Sequence, residues 1–363
     1  MVKIFTRFRT CLLWFVTPVV VAACGRFPSG VSAGPGFWLT PEVAPTSGIA
    51  GATTTPGPII LDTLSFRALQ TTVLLQSTLQ GTPASSSGKN QEETIASRQN
   101  RAASARSGTD RDINQNVLRA AVVTSFQGQR HHPETVRALA ADSQALASTA
   151  GAVAAHARKA GTNAMIIDLQ GMTAADIRQL IDVTRAIADS ARAYVLGPIG
   201  FVVPAADTAA YPGALIARTA DFIVLRLMGE HRPGTAPGSF ATPVWFGRQL
   251  GIRAAEVGAS RVIAELPLSG YRWEPDGTAR RVTYSEAQAL VVAEGLAFRR
   301  DPETRALAAS SPRDGWEIWI NDHETTQFLI AAARRTGVNR FVFAGIEGSD
   351  PQIWTTFGHS LRR

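Results

Sequence analysis

The sequence predicts an α/β fold, a (β/α)8 barrel with a small α+β insertion between its last two strands. Three observations lead there. From Leu118 onward, short apolar runs alternate with helical stretches, the rhythm of a parallel sheet flanked by helices. One such run, Ala164-Met165-Ile166-Ile167-Asp168-Leu169-Gln170, is apolar until its polar end, and α/β barrels keep their chemistry at the C-terminal ends of their strands. Finally, 363 residues at 45% hydrophobic content can fill a large core, and a barrel takes roughly 250 residues.

The chain opens with a basic segment, Lys3, Arg7 and Arg9, followed by an apolar run over 11–21 that is shorter than the roughly 20 residues of a spanning helix. It ends in Val21-Ala22-Ala23-Cys24-Gly25, small residues ahead of a cysteine. This resembles a bacterial lipoprotein signal, with 1–23 removed and the Cys24 thiol acylated; an ordinary secretory signal or a single anchor helix are the alternatives. The expected location is extracytoplasmic, anchored to a membrane by lipid. Cys11 and Cys24 are the only cysteines, which leaves no disulfide, thiol catalysis or cysteine metal site in the mature chain. Losing Lys3, Arg7 and Arg9 takes the 36 basic residues to 33 against 29 acidic ones, so the net charge of +7 becomes +4. No basic cluster is interleaved with aromatics, which excludes a nucleic-acid partner; the mild excess suits an anionic membrane surface.

Residues 24–58, rich in Gly, Pro, Ser and Thr, read as a tether, with 36–40 offering an early strand inside it. The barrel is assigned to 59–363, with a strand at 72–75 and a polar, exposed segment at 82–112. Then come a strand at 119–126, two helical stretches over 133–159 that stop at Gly161, and the strand at Met165. A helix over 174–190 starts from the Thr173 cap with Asp176 in its first turn. Strands follow at 193–199, 221–227 and 261–268, with a loop through Pro204 and Pro212 and a helix at 245–257. The insertion spans 269 to about 323: alternating strand patterns at 271–273 and 315–322, a helix at 285–295, and a charged loop at 299–313. A helix at 325–335 and a strand at 340–347 close the chain.

Asp168 and Gln170 are two apart and share one face of their strand, while Ile167 and Leu169 face the helical layer. His131, His132 and His156 have no ligand partners at metal spacing and read as surface residues. There is no Gly-rich phosphate loop and no Gly-x-Ser-x-Gly nucleophile elbow, and the sequence calls for no cofactor or metal.

The 163–170 segment resembles the Asp-Gly-x-Asp-x-Asp-x-Glu signature of family 18 glycoside hydrolases, the chitinase-like barrels. The pattern falls on Asn163, Ala164, Ile166, Asp168 and Gln170, and only Asp168 keeps its type. Further marks occur in order: Glu230-His231, Pro237-Gly238 and Trp245; Leu266-Pro267-Leu268-Ser269-Gly270-Tyr271-Arg272-Trp273; Trp316-Glu317-Ile318-Trp319 with Asn321-Asp322; and Asp350-Pro351-Gln352-Ile353-Trp354. The likeness, covering 118–354, is to the bacterial branch found beside polysaccharide-processing and spore-lytic proteins.

The resemblance implies substrate-assisted hydrolysis, in which the sugar's 2-acetamido oxygen attacks the anomeric carbon. A glutamate protonates the leaving oxygen, and an aspartate two residues earlier steadies the acetamide. A tyrosine on the sixth strand and a tryptophan on the eighth complete the pocket. Here the acid position holds Gln170, and the last two positions fall on Met228 and Ala344, with Gly229 where an aspartate usually follows the tyrosine. An amide can donate a hydrogen bond but cannot deliver a proton near neutral pH, and positioned acid–base groups typically contribute about 10²–10⁴-fold each.

The leading expectation is therefore a barrel that binds an N-acetylated envelope or secreted polysaccharide without cleaving it. A second is a hydrolase with relocated carboxylates, Asp168 with Glu230 or Glu265, Glu347 being the other acid near a strand end. Arg226, Arg261 or Arg340 would instead tie such acids into salt bridges. Trp245, Trp273 and Trp316 could stack on sugars or be buried in packing. A third expectation is a structural partner of other envelope proteins with no sugar site.

Overall fold

The computed structural model describes residues 36–37, 120–127, 130–159, 161–194, 196–345 and 348–357. The chain runs β1 (Gly36–Phe37), β2 (Ala120–Thr124), β3 (Phe126–Gln127), β4 (Arg130–His131), α1 (Pro133–Ala141), α2 (Ser143–Lys159), β5 (Ala164–Asp168), α3 (Ile177–Ala193), β6 (Ile199–Pro204), α4 (Gly213–Ile216), β7 (Phe222–Arg226), α5 (Pro243–Val257) and β8 (Val262–Pro267). The insertion follows: β9 (Ser269–Trp273), β10 (Ala279–Thr283), α6 (Tyr284–Ala293), β11 (Arg299–Arg300), β12 (Leu307–Ser310) and β13 (Glu317–Ile320). Then α7 (His323–Arg335), β14 (Phe341–Ala344) and α8 (Gln352–Phe357) end the described chain.

The main sheet has the order β1-β14-β8-β7-β6-β5-β2, every pair parallel. Because the first strand sits beside the last, the sheet curls as a (β/α)8 barrel does. The strand expected at 72–75 lies outside the described residues, as do the signal segment with Cys24, the polar segment 82–112 and Glu347. β1 pairs with β14 from within the stretch whose composition reads as tether. No helix among the described residues is long and apolar enough to cross a membrane.

Strand parity divides the core. Ala164, Ile166, Val202, Phe222, Val224, Ile263 and Val342 meet inside the sheet. Met165, Ile167, Ile223, Leu225, Ala264 and Leu266 face the helices outside it. Side chains alternate along each strand, so the next inward positions after Ile166, Val224 and Ile263 are Asp168, Arg226 and Glu265.

Two expectations are corrected. The strand placed at 193–199 is instead β6 at Ile199–Pro204, because α3 continues through Ala193. Gly200 hid it by looking like loop; it is needed because a Cβ there would stand 2.4 Å from the Phe222 ring. The charged loop at 299–313 contains β11 and β12, which extend the insertion into a five-stranded antiparallel sheet of order β10-β9-β13-β12-β11. Ala309 of β12 is buried with Val282, Ile318, Ile320 and Trp316 under α6, which starts from a Thr283–Glu286 capping box.

Candidate functional site

At the C-terminal end of the barrel, Arg226 stands between two inward carboxylates. Its Nη2 and Nη1 donate to Asp168 Oδ2 and Oδ1 at 3.1 and 3.4 Å. Its Nε and Nη2 donate to Glu265 Oε1 and Oε2 at 3.0 and 3.4 Å. The Glu265 side chain is 2% exposed, Asp168 12% and Arg226 27%, so this is a largely buried ion cluster and not a surface pair. Burial opposes the charge on Arg226, but the two carboxylates outweigh it and raise its pKa.

Gln170 is fixed in the same layer. Its Nε2 donates to Asp168 Oδ1 at 2.8 Å and to the Val202 carbonyl at 2.9 Å, which occupies both amide hydrogens. The turn that carries Gln170 is clamped by Tyr211, whose hydroxyl donates to the Leu169 carbonyl and accepts from the Met172 amide, both at 3.0 Å. Burial pushes the Tyr211 phenol up to about 12. Arg253, fully buried on α5, holds the loop bearing Tyr211 by donating to the carbonyls of Pro204, Asp207 and Tyr211.

His131 completes the cluster from β4. Its Nδ1 lies 3.2 Å from Ser125 Oγ, and its ring packs edge-on against Phe126 at 5.1 Å. Burial lowers its pKa; Asp168 acts the other way, while Arg226 and His132 add to the lowering. The expectation of a surface histidine is thus corrected for His131, because its antiparallel pairing with β3 sets it against Ser125 and Phe126, within reach of the Asp168 charge.

The remaining sequence-derived candidates are placed as follows. Glu230 caps the start of α5, accepting from Thr242 N at 2.5 Å and Thr242 Oγ1 at 3.1 Å. Met228 follows β7 and is half-buried, and Ala344 ends β14, buried. Trp245, half-buried on α5, packs against the outer core. Trp273 is 2% exposed and Trp316 1%, with Trp316 Nε1 donating to Glu294. Of the two alternatives, stacking on sugar or packing, these two tryptophans take packing, since both rings are buried. Arg261 bonds the carbonyls of Ala217, Ala220 and Asp221, away from the acids.

Sequence reasoning offered Arg226 as a salt-bridge partner for the barrel acids, and the structure pairs it with Asp168 and Glu265. That reasoning passed over His131 and the half-buried Tyr271 and Trp319. Tyr271 lies edge-on to Phe240 at 4.7 Å, and Trp319 pairs with it in register across β9–β13. Asp322, His323 and Asp350 also cluster, but their oxygens are spoken for. Arg300 and the start of α7 take those of Asp322, and His323 and Gln352 take those of Asp350. The Arg300 cation would also repel a metal ion.

No protein-family model matches the chain, and no curated protein does. Solved structures do. A class V chitinase from Pseudomonas fluorescens Pf-5 is 16% identical over 68% of this chain and 82% of its own, with a TM-score of 0.60. The fold is the chitinase-type barrel. A class V chitinase of Nicotiana tobaccum, a glutamate-to-glutamine mutant in complex with NAG4, is 17% identical over 73% of this chain and 86% of its own, TM-score 0.59. The spore cortex-lytic enzyme SleL of Bacillus megaterium QM B1551 is 16% identical over 67% of this chain, TM-score 0.59, and the match spans 59% of its length.

Proposed function

We propose that this chain is a glycan-binding protein on a chitinase-type barrel, lipid-anchored through Cys24 on the extracytoplasmic side of a membrane, that does not hydrolyse its ligand. One observation carries the reading. Asp168 and Glu265, the inward acids of the mouth, are both bonded to Arg226, while the position of the proton donor holds Gln170 with both amide hydrogens committed. The carboxylate oxygens that would have to reach a leaving-group oxygen are turned onto Arg226 instead. Binding needs only shape, hydrogen bonds and aromatic edges, and Gln170, Tyr271 and Trp319 offer these. The glutamate-to-glutamine chitinase mutant in complex with NAG4 supports the idea that such a replacement is compatible with a bound glycan. An N-acetylated polysaccharide of the envelope, or one being exported across it, is the ligand class we assign.

The test is calorimetric binding of N-acetylglucosamine oligomers and peptidoglycan fragments to the detergent-solubilised full chain, with product release followed in the same samples. Binding without cleavage, weakened by Asp168→Asn, is expected. Turnover that survives Gln170→Ala but is lost in Glu265→Gln or Glu230→Gln would replace this reading with a relocated active site. Neither binding nor turnover would leave an envelope scaffold without a sugar site.

A further inference from the structure

We propose that the glycan is acidic and that Arg281 grips its carboxylate at the rim of the barrel mouth; this rests on the glycan-binding reading and names the ligand class more closely. Arg281 lies on β10, opposite Tyr271 in the register of the insertion sheet. Its Nε donates to Ser269 Oγ at 2.8 Å, and its guanidinium sits over the Phe240 ring at 5.9 Å. One Nη nitrogen is 3.3 Å from where a Cβ on Gly345 would stand. Ser269 follows the end of β8 and Gly345 follows the end of β14, so the cation stands over the C-terminal ends of two adjacent barrel strands, where barrels bind ligands.

Its neighbours make the arrangement selective. Arg272 and Arg280 on the same two strands pair with Glu274, whereas Arg281 pairs with no carboxylate among the described residues and is exposed. A guanidinium held at one nitrogen and open at the others is suited to fork onto a carboxylate. Phe240 and Tyr271 beside it supply the apolar edge against which a sugar ring packs. Ala344 and Gly345 leave the floor beneath without a large side chain, and the resemblance places a tryptophan at the first of these positions. Below, Arg226 is neutralised by two carboxylates, so the deep floor offers no cation to spare. The neutral part of the sugar therefore faces Gln170, and its acid group faces Arg281.

The experiment compares N-acetylglucosamine oligomers with oligomers of the same length carrying uronate, titrated into the detergent-solubilised full chain and into its Arg281→Gln and Arg281→Lys variants. Losing a charge-assisted contact is expected to cost about ten- to a hundredfold in affinity. The uronate oligomer should bind the wild type at least about tenfold more tightly at low salt, and that margin should shrink as salt rises. Arg281→Gln should abolish the margin, with a wild-type melting temperature showing that the variant is folded, and Arg281→Lys should keep part of it. A wild type that binds the neutral oligomer with no preference for uronate overturns the inference and leaves the glycan-binding reading intact. A preference unchanged in Arg281→Gln overturns the assignment to Arg281. Failure to bind either oligomer overturns both.

Discussion

Replacing Arg226 by methionine would remove the cation between two inward carboxylates while roughly filling its volume. Glu265 would be left 2% exposed with neither of its described cationic contacts, and Asp168, 12% exposed, would keep only the Gln170 amide. Stranding one member of a buried pair costs about 3–5 kcal/mol. Arg226 itself is 27% exposed, so water reaching the mouth relieves part of this, and the lower end, about 3 kcal/mol, is the appropriate figure. For a domain of this size each kcal/mol moves the melting temperature by about 2–4 °C, which predicts a fall of about 6–12 °C. Thermal unfolding followed by circular dichroism measures it. The double variant Arg226→Met/Glu265→Gln removes the more deeply buried of the two stranded charges and should recover part of the loss. An Arg226→Met protein melting within about 2 °C of wild type would refute the reasoning, as would a double variant less stable than the single one.

Two further predictions concern His131 and the insertion. The folded state lowers the His131 pKa, so it favours the neutral ring; that contribution is present above the unfolded value of about 6.5 and is lost as pH falls through the folded one. Stability measured by denaturant titration should therefore drop more steeply below about pH 6.5 in wild type than in His131→Asn, and parallel curves would count against the buried placement. A methyl group on Gly270 would stand 1.9 Å from the Trp319 carbonyl oxygen. Backbone is the obstacle, so Gly270→Ala should cost at least the about 1–3 kcal/mol of ordinary overpacking and open the β9–β13 pairing to limited proteolysis; a wild-type digestion pattern would contradict this.

The parallel strands were legible where their apolar runs were unbroken, as at β5, β7 and β8. β6 was not, because its close approach to Phe222 demands Gly200, and a glycine inside a short apolar run weakens the strand pattern. One helix start was legible through its cap, the Thr173–Asp176 capping box, which acts within three residues of itself. The buried state of Trp273 and Trp316 was not legible, since an alternating strand looks the same whichever sheet covers it. Glu230 was a candidate acid by position alone; only the path of the 228–242 loop turned it into a cap for α5.

The sequence by itself determined that Asp168 and Gln170 share one face of their strand and that Gln170, an amide, cannot itself deliver a proton near neutral pH. Both follow from strand parity and functional-group chemistry, which are local. The tertiary structure decided what those side chains meet. Arg226 reaches Asp168 from 58 residues away and Glu265 from 39, because curling the sheet brings the ends of β5, β7 and β8 around one axis. Arg281 arrives at the same mouth only through the fold of the insertion, where pairing with β9 sets it over Ser269 and Gly345. Ion pairing depends on distance through space, which a linear pattern does not carry.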